Sequence, residues 1–164
     1  KAKQFRKLLS FKVAYWIFIF VLPMVFSPFA WWQVLLGWLV MNMVAGFILT
    51  VTFQLAHVVE GVSFPIPNDE GKVENEWMIH QLKTTANFAK HSKLVTWYVG
   101  GLNFQIEHHL FPNICHVHYK KISDIVKATA EEYGILYNDK KTYFGAVRSH
   151  YIMLKELGVK PVNA

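Results

Sequence analysis

The sequence predicts an all-α integral membrane protein, in which one transmembrane helical hairpin over about residues 9–59 is followed by a cytosolic helical cap over about residues 60–164. Three observations predict it. No Asp, Glu, Lys or Arg occurs from Val13 to Val59, and the first acid is Glu60; one membrane span needs about 20 apolar residues, so this run holds two. The composition is 53% hydrophobic and 16% aromatic, with six Trp, seven Tyr and thirteen Phe, which is rich for a soluble domain. Beyond Glu60 the pattern changes to short amphipathic stretches separated by Gly and Pro, which suit a helical cap and are too short to span.

The hairpin is located by its punctuation. Pro23, Ser27 and Pro28 interrupt the apolar run, and Trp31 and Trp32 follow at once, where amphipathic rings favour a membrane interface. The first helix is expected from about Leu9 to Phe26 and the second from about Trp31 to Val59. At 1.5 Å per residue the second would run to roughly 43 Å, longer than a hydrocarbon core of about 30 Å, so one end should protrude into water. Lys1, Lys3, Arg6, Lys7 and Lys12 precede the hairpin, Lys72, Lys83, Lys90 and Lys93 follow it, and its tip carries no charge. By the positive-inside rule both ends are cytoplasmic. The net charge of +6 is accounted for by these flanks and by contact with anionic headgroups, and it gives no reason to expect nucleic acid as a partner.

Few polar residues fall inside the spans: Asn42, Thr50, Thr52, Gln54 and His57. Such groups are costly in lipid and tend to face other helices or a cavity. His57, at the cytoplasmic end of the second helix, is open to two readings, a packing or headgroup contact or a ligand, and its depth on the side of the later histidines favours the second.

The cap follows in order. Phe64–Gly71 (FPIPNDEG) reads as a linker, since its prolines and glycine stop helices. Glu74–Lys90 reads as a cytosolic helix whose early acids complement the dipole, with His80 and His91 as surface histidines. Lys93–Gly101 (KLVTWYVGG) is apolar but too short to span, so it suits a segment lying on the bilayer. Gly100 and Gly101 permit a sharp turn into a helix that Pro112 ends. His118–Tyr133 is expected to be helical, with Ile122, Ile125, Val126 and Thr129 on its apolar face and Gly134 as C-cap. Thr142–Leu157 repeats the design around Phe144, Val147, Tyr151 and Leu154, with His150 as a distal bystander. The single Cys115 excludes an intrachain disulfide and reads as a small buried apolar residue in a reducing compartment.

The chemistry concentrates in Gly100–Pro112, GGLNFQIEHHLFP. Gln105, His108 and His109 stand at i, i+3 and i+4, one face of a helix. Two adjacent imidazoles both stay neutral, repel when protonated, or bind a cation that favours the neutral form. The cation suits this pattern best.

Gln105-Ile106-Glu107-His108-His109, followed by Leu110-Phe111-Pro112, resembles the third histidine box (Q-x-x-H-H) of membrane fatty acid desaturases of the front-end type, the group of linoleoyl-CoA and delta-6 desaturases. The resemblance extends to His57-Val58-Val59-Glu60-Gly61, to Gln81-Leu82-Lys83-Thr84-Thr85-Ala86-Asn87 and past Pro112 to His116, covering about Ala14 to Tyr133. It implies a non-haem di-iron oxidoreductase that uses O2 and two electrons to place a double bond in an acyl chain. His57, His108 and His109 would be iron ligands, and Gln105, where most desaturases have a further His, a weak ligand or a hydrogen-bond partner. An acyl-CoA or acyl-lipid substrate, an electron donor such as cytochrome b5 or ferredoxin, and a place in the bacterial inner membrane or endoplasmic reticulum with the active face cytoplasmic are implied too. The family's other boxes, H-x-x-x-H and H-x-x-H-H, do not occur in these 164 residues. With no initiator Met, the expectation is therefore the C-terminal half of a desaturase, inactive alone, whose N-terminal half is a partner. The alternatives are a related di-iron lipid hydroxylase and a non-catalytic membrane anchor.

Overall fold

The computed structural model describes residues 2–73 and 75–159. They fall into two compact units that divide between Leu49 and Thr50, which are described in turn.

The first unit is the apolar hairpin. Helix α1 (Ala2–Trp16) runs through a π-helical turn (Ile17–Val21) into α2 (Leu22–Phe26), and α3 (Trp31–His57) returns. The first helix thus begins well before the expected Leu9, because its basic stretch contains only good helix formers and no Gly or Pro to delay it. Pro23 does not break the apolar helix. A proline ring collides with the carbonyl four residues back, and the turn before it is widened: the Leu22 N–H reaches back to the Ile17 carbonyl, which leaves Pro23 in the first turn of α2. The helix ends at Ser27, whose backbone is extended and whose N–H and hydroxyl both donate to the Pro23 carbonyl. Gln33 starts α3 by accepting from the Ala30 N–H at 2.8 Å, a side chain satisfying an orphan donor. Across the hairpin the Trp38 ring lies 5.8 Å from Trp16 and 5.7 Å from Phe20, and its indole N–H donates to the Tyr15 hydroxyl at 3.0 Å. Asn42, expected to need a neighbouring helix, donates to the Trp38 carbonyl one turn back. Ala2–Phe26 and Trp31–His57 are each long and apolar enough to cross a membrane, and almost none of the residues in their apolar stretches are buried.

The second unit begins inside α3, which ends at His57 and not at the expected Val59, since Val58–Gly61 turns away and Gly61 has φ +86°. Thr52, Leu55 and Ala56 are buried there. Leu55 and Ala56 pack with Phe88, Ala89 and Ala146; a second cluster joins Leu82, Ile106, Leu110, Ala130 and Tyr137. Each fully enclosed side chain, such as Leu55, Phe88 or Ile106, contributes about 1.5–3 kcal/mol.

The Glu74–Lys90 helix is shorter than expected. Glu74 lies outside the described residues, and α4 covers only Trp77–Thr84. Thr84 and Thr85 turn their hydroxyls back onto the carbonyls of His80 and Gln81, which competes with helix continuation, and Thr85 becomes extended. Strand β1 (Asn87–Phe88) follows, paired in parallel with β2 (Asp139–Lys140) in the register Asn87 with Asp139 and Phe88 with Lys140. This small pair is the one departure from all-helical order among the described residues.

Ser92 caps α5 (Lys93–Tyr98) by accepting from the Val95 N–H, and Leu94, Trp97 and Tyr98 face outward. Gly100 and Gly101 take φ +60° and +81° and turn the chain into α6 (Gln105–Leu110). A 3-10 turn (His116–His118) leads into α7 (Tyr119–Glu132), and α8 (Tyr143–Val159) closes the described chain. Two faces and one residue differ from expectation. In α7 the buried line is Tyr119, Ser123 and Ala130; of the expected face Ile122 and Val126 are half-buried, Val126 against the second cluster, while Ile125 and Thr129 are exposed. In α8 the expected face, Phe144, Val147, Tyr151 and Leu154, is the outer one, and Ala146 and Ser149 are buried instead. Small residues face inward because this face of α8 enters the cluster of Leu55, Ala56, Phe88 and Ala89 and meets Glu60 just beyond α3. Cys115 is exposed, since it stands in the irregular turn after Pro112 and not on a packed helix.

Candidate metal centre

Helix α6 is only six residues long, and its position is set from outside. Its N-cap residue, Phe104, has no capping side chain. The Asn87 carbonyl oxygen of the side chain, carried in from β1, accepts the Ile106 N–H at 2.9 Å instead, which satisfies one of the orphan donors of the first turn. The Asn87 amide group then donates to Glu107 Oε2 at 2.7 Å and to the Tyr137 hydroxyl at 2.6 Å, while the Tyr137 hydroxyl donates to Glu107 Oε1 at 2.8 Å. Glu107, wholly enclosed, is thereby tied to both β1 and the segment before β2. Burial raises its pKa, favouring the protonated form, and the bonds from Tyr137 and Asn87 and the Lys90 charge oppose that rise. Burial and the Glu107 charge push the Tyr137 hydroxyl far up, so it serves as a fixed donor. Lys90 lies 4.9 Å from the Tyr137 ring centroid and 3.5 Å from Asp139. At the preceding turn, a β-carbon on Gly101 would fall 2.7 Å from that of His116, so no larger residue fits the approach to α6.

This anchoring decides which way the histidines point. Glu107 lies two residues from Gln105 and so on the opposite side of the helix; with Glu107 and Ile106 locked inward, Gln105 and His109 face the end of α3. The Gln105 Nε2 lies 3.3 Å from His57 Nε2 and 3.2 Å from His109 Nε2. Both Nε2 atoms thus lie within hydrogen-bond distance of the one Gln105 amide group, whose N–H donates to a ring whose Nε2 is unprotonated. The His57 and His109 rings meet edge-on at 5.3 Å, and the Thr84 main chain hydrogen-bonds the His57 ring. Burial, and then the charges of His57 and His108, hold His109 below the usual imidazole range, in the neutral form that ligates metals.

Three of the four candidate residues thus come together: His57, Gln105 and His109. His108 stands apart. It is exposed, its ring lies 5.8 Å from that of His109, and its Nδ1 lies 3.4 Å from the Tyr119 hydroxyl. Among the described residues no three His, Cys, Asp or Glu side chains form a metal-binding group. The donors present fit iron in kind, being neutral imidazoles with convergent Nε2 atoms, but the cluster is incomplete. His80, expected at the surface, is half-buried with its Nδ1 enclosed and unpaired, and lines with His57 an open groove of about 540 Å³ walled by Phe64, Pro65, Ile66 and Pro67. Asn87, Glu107 and Tyr137 were not singled out in the sequence for any role. The signal for Glu107 was present, an acid wedged into an otherwise apolar and imidazole-bearing helix.

The sequence profile of the fatty acid desaturase family matches residues 1–141. The chain belongs to the fatty acid desaturase family. It is 40% identical over 154 residues to an sn-1 linoleoyl-lipid 6-desaturase of Arthrospira platensis and 39% identical over 156 residues to one of Synechocystis, each alignment taking in 94% of this chain and 41% and 43% of the relative. An acyl-lipid (8-3)-desaturase of Physcomitrium patens is 40% identical over 148 residues, 90% of this chain and 31% of its own length. The desaturase chain therefore spans about two-fifths of the length of the first of these relatives. No solved structure matches it. The family is one of oxidoreductases of lipid metabolism, and the two membrane-length helices are in keeping with it. Its matched region ends at residue 141, so α8 lies beyond the part that the family profile describes.

Proposed function

We propose that this desaturase chain forms one side of a histidine-ligated di-iron site that introduces a double bond into the acyl chain of a membrane lipid. The observation that carries the proposal is the convergence of His57 and His109 on Gln105 in a chain of the desaturase family. His57 and His109 would hold iron through Nε2, His108 would join them, and Gln105 would act as a weak ligand or as the hydrogen-bond partner that orients both rings. Iron supplies, with O2, the oxidising power to take hydrogen from an unactivated methylene pair, which no side chain here provides. The overall balance is one saturated CH2–CH2 unit, O2, two electrons and two protons giving one C=C and two waters. The names of the relatives, all acting on acyl groups in lipids, support an acyl-lipid substrate over an acyl-CoA. The electrons would come from a small carrier such as cytochrome b5 or ferredoxin.

Three imidazoles and an amide are too few to hold two irons, so further histidine ligands, from sequence outside these 164 residues, are part of the proposal. The test is iron per chain and fatty acid profile for these residues produced with and without the N-terminal desaturase sequence of a relative. Iron and a new double bond are expected only with the added sequence, and activity from the 164 residues alone would overturn the shared-site reading. An oxygenated product would assign a hydroxylase instead.

The lysine-bearing flanks and the uncharged tip support a cytoplasmic face for the histidines. A reporter active only in the cytoplasm should work when fused after Ala164 and fail when inserted at Ser27. The reverse pattern would put the histidines on the other side.

A further inference from the structure

Helix α8 reaches the end of α3 at three points on one of its faces. Ala146 is fully buried in the cluster that holds Leu55, Ala56, Phe88 and Ala89. One turn on, the buried Ser149 hydroxyl accepts the Glu60 N–H at 3.0 Å, and His150 Nδ1 lies 2.6 Å from the Val58 carbonyl oxygen. A carbonyl only accepts, so the His150 Nδ1 carries the proton. Positions i, i+3 and i+4 form one stripe on a helix, and the stripe meets residues 55–60, the segment that contains His57. The last carbonyls of a helix have no partner of their own, and here one is satisfied by an imidazole 92 positions away in sequence. From the other side, Asn138 and Lys140 both donate to the Glu60 carbonyl, at 3.0 and 2.8 Å. The end of α3 is thus held on both flanks of the turn.

We propose that His150 is a positioning residue for His57: by fixing the Val58 carbonyl, α8 sets the direction in which the His57 ring leaves the helix and so keeps its Nε2 aimed at Gln105. The proposal rests on the reading of His57 as an iron ligand. It reverses the sequence-based expectation that His150 is a bystander, and it gives a role to a helix beyond the family-matched region. Tyr151, next on α8, points outward and has no such contact, so it serves as the control.

The experiment compares iron release to a chelator, kcat and KM for these residues produced with the N-terminal desaturase sequence of a relative, loaded with iron and carrying His57→Ala, His150→Ala, His150→Asn or Tyr151→Ala. An asparagine amide nitrogen falls where the imidazole Nδ1 was, three bonds from Cα, and restores the bond to Val58. Expected is iron release about tenfold faster and kcat about tenfold lower for His150→Ala with KM little changed, since disturbing a residue that orients a ligand typically has effects of this size; His150→Asn and Tyr151→Ala should behave as wild type. Wild-type release in His150→Ala alongside lost iron in His57→Ala would overturn the positioning role while leaving His57 a ligand. Retention of iron in His57→Ala would overturn the ligand reading and this inference with it. Equal loss in His150→Ala and His150→Asn would show that the bond to Val58 is not the cause, and would also overturn it. Where His150→Ala is not recovered folded, His150→Gln, whose amide is one methylene too far, replaces it in the contrast with His150→Asn, and equal behaviour of that pair is the overturning result.

Discussion

Alanine at His109 is expected to strip the iron-loaded desaturase of most of its metal and to lower its turnover by about a hundredfold or more. The ring contributes one of two Nε2 atoms that converge on Gln105, and imidazole ligands retain a metal only when enough of them meet in a preformed site. Elemental analysis of iron per chain, with fatty acid profiling of the host membrane, measures both effects. Full iron occupancy in the variant would remove His109 from the ligand set. Gln105→His is the finer version of the same experiment. It places a third imidazole between His57 and His109, and a change in iron affinity is expected; wild-type iron binding and turnover would make Gln105 a bystander.

Glu107→Ala should be the most destabilising single change in the cap, at about 3 kcal/mol. It deletes the acceptor of two donors, the Asn87 amide and the Tyr137 hydroxyl, in a region closed to water, and an unsatisfied buried polar group costs about 1–3 kcal/mol. Glu107→Gln retains the shape and one acceptor oxygen, so its loss should be near 1 kcal/mol. Thermal unfolding in detergent, or resistance of the cap to protease, ranks the two variants. If alanine proves no worse than glutamine, the network does not anchor α6.

How much of this was legible in the sequence depends on the range of the interactions involved. The hairpin was legible because a long charge-free run has one physical solution in lipid. The turn into α6 was legible because Gly100, Gly101 and Pro112 act on their immediate neighbours. The strand pair was not, since two residues carry no period and Asn87 meets Asp139 only through the fold. The face of α8, and that of α7 in part, were misjudged for a related reason. A pattern of large apolar residues marks one face, but close approach to another element selects for small ones, and Ala146 and Ser149 fill that need while Phe144 and Tyr151 stay outside. In the candidate centre the i, i+4 pair of Gln105 and His109 was readable, and so was the depth of His57. The separation of His108 from them was not, because six helical residues are aimed by Asn87 and Tyr137, which lie 20 and 30 positions from Glu107.

The bond from His150 to the Val58 carbonyl also has a consequence in time. Its two ends are 92 residues apart, and at synthesis rates of about 5–20 residues per second the second end is made on the order of ten seconds after the first. Through that interval His57 exists at the end of a finished apolar helix whose final carbonyl has no partner, and Glu107 waits in turn for Tyr137. A ribosome that pauses within α7 would hold the chain with its imidazoles made and their supports missing. In the proposed site, metal loading would come late, after translation has passed α8.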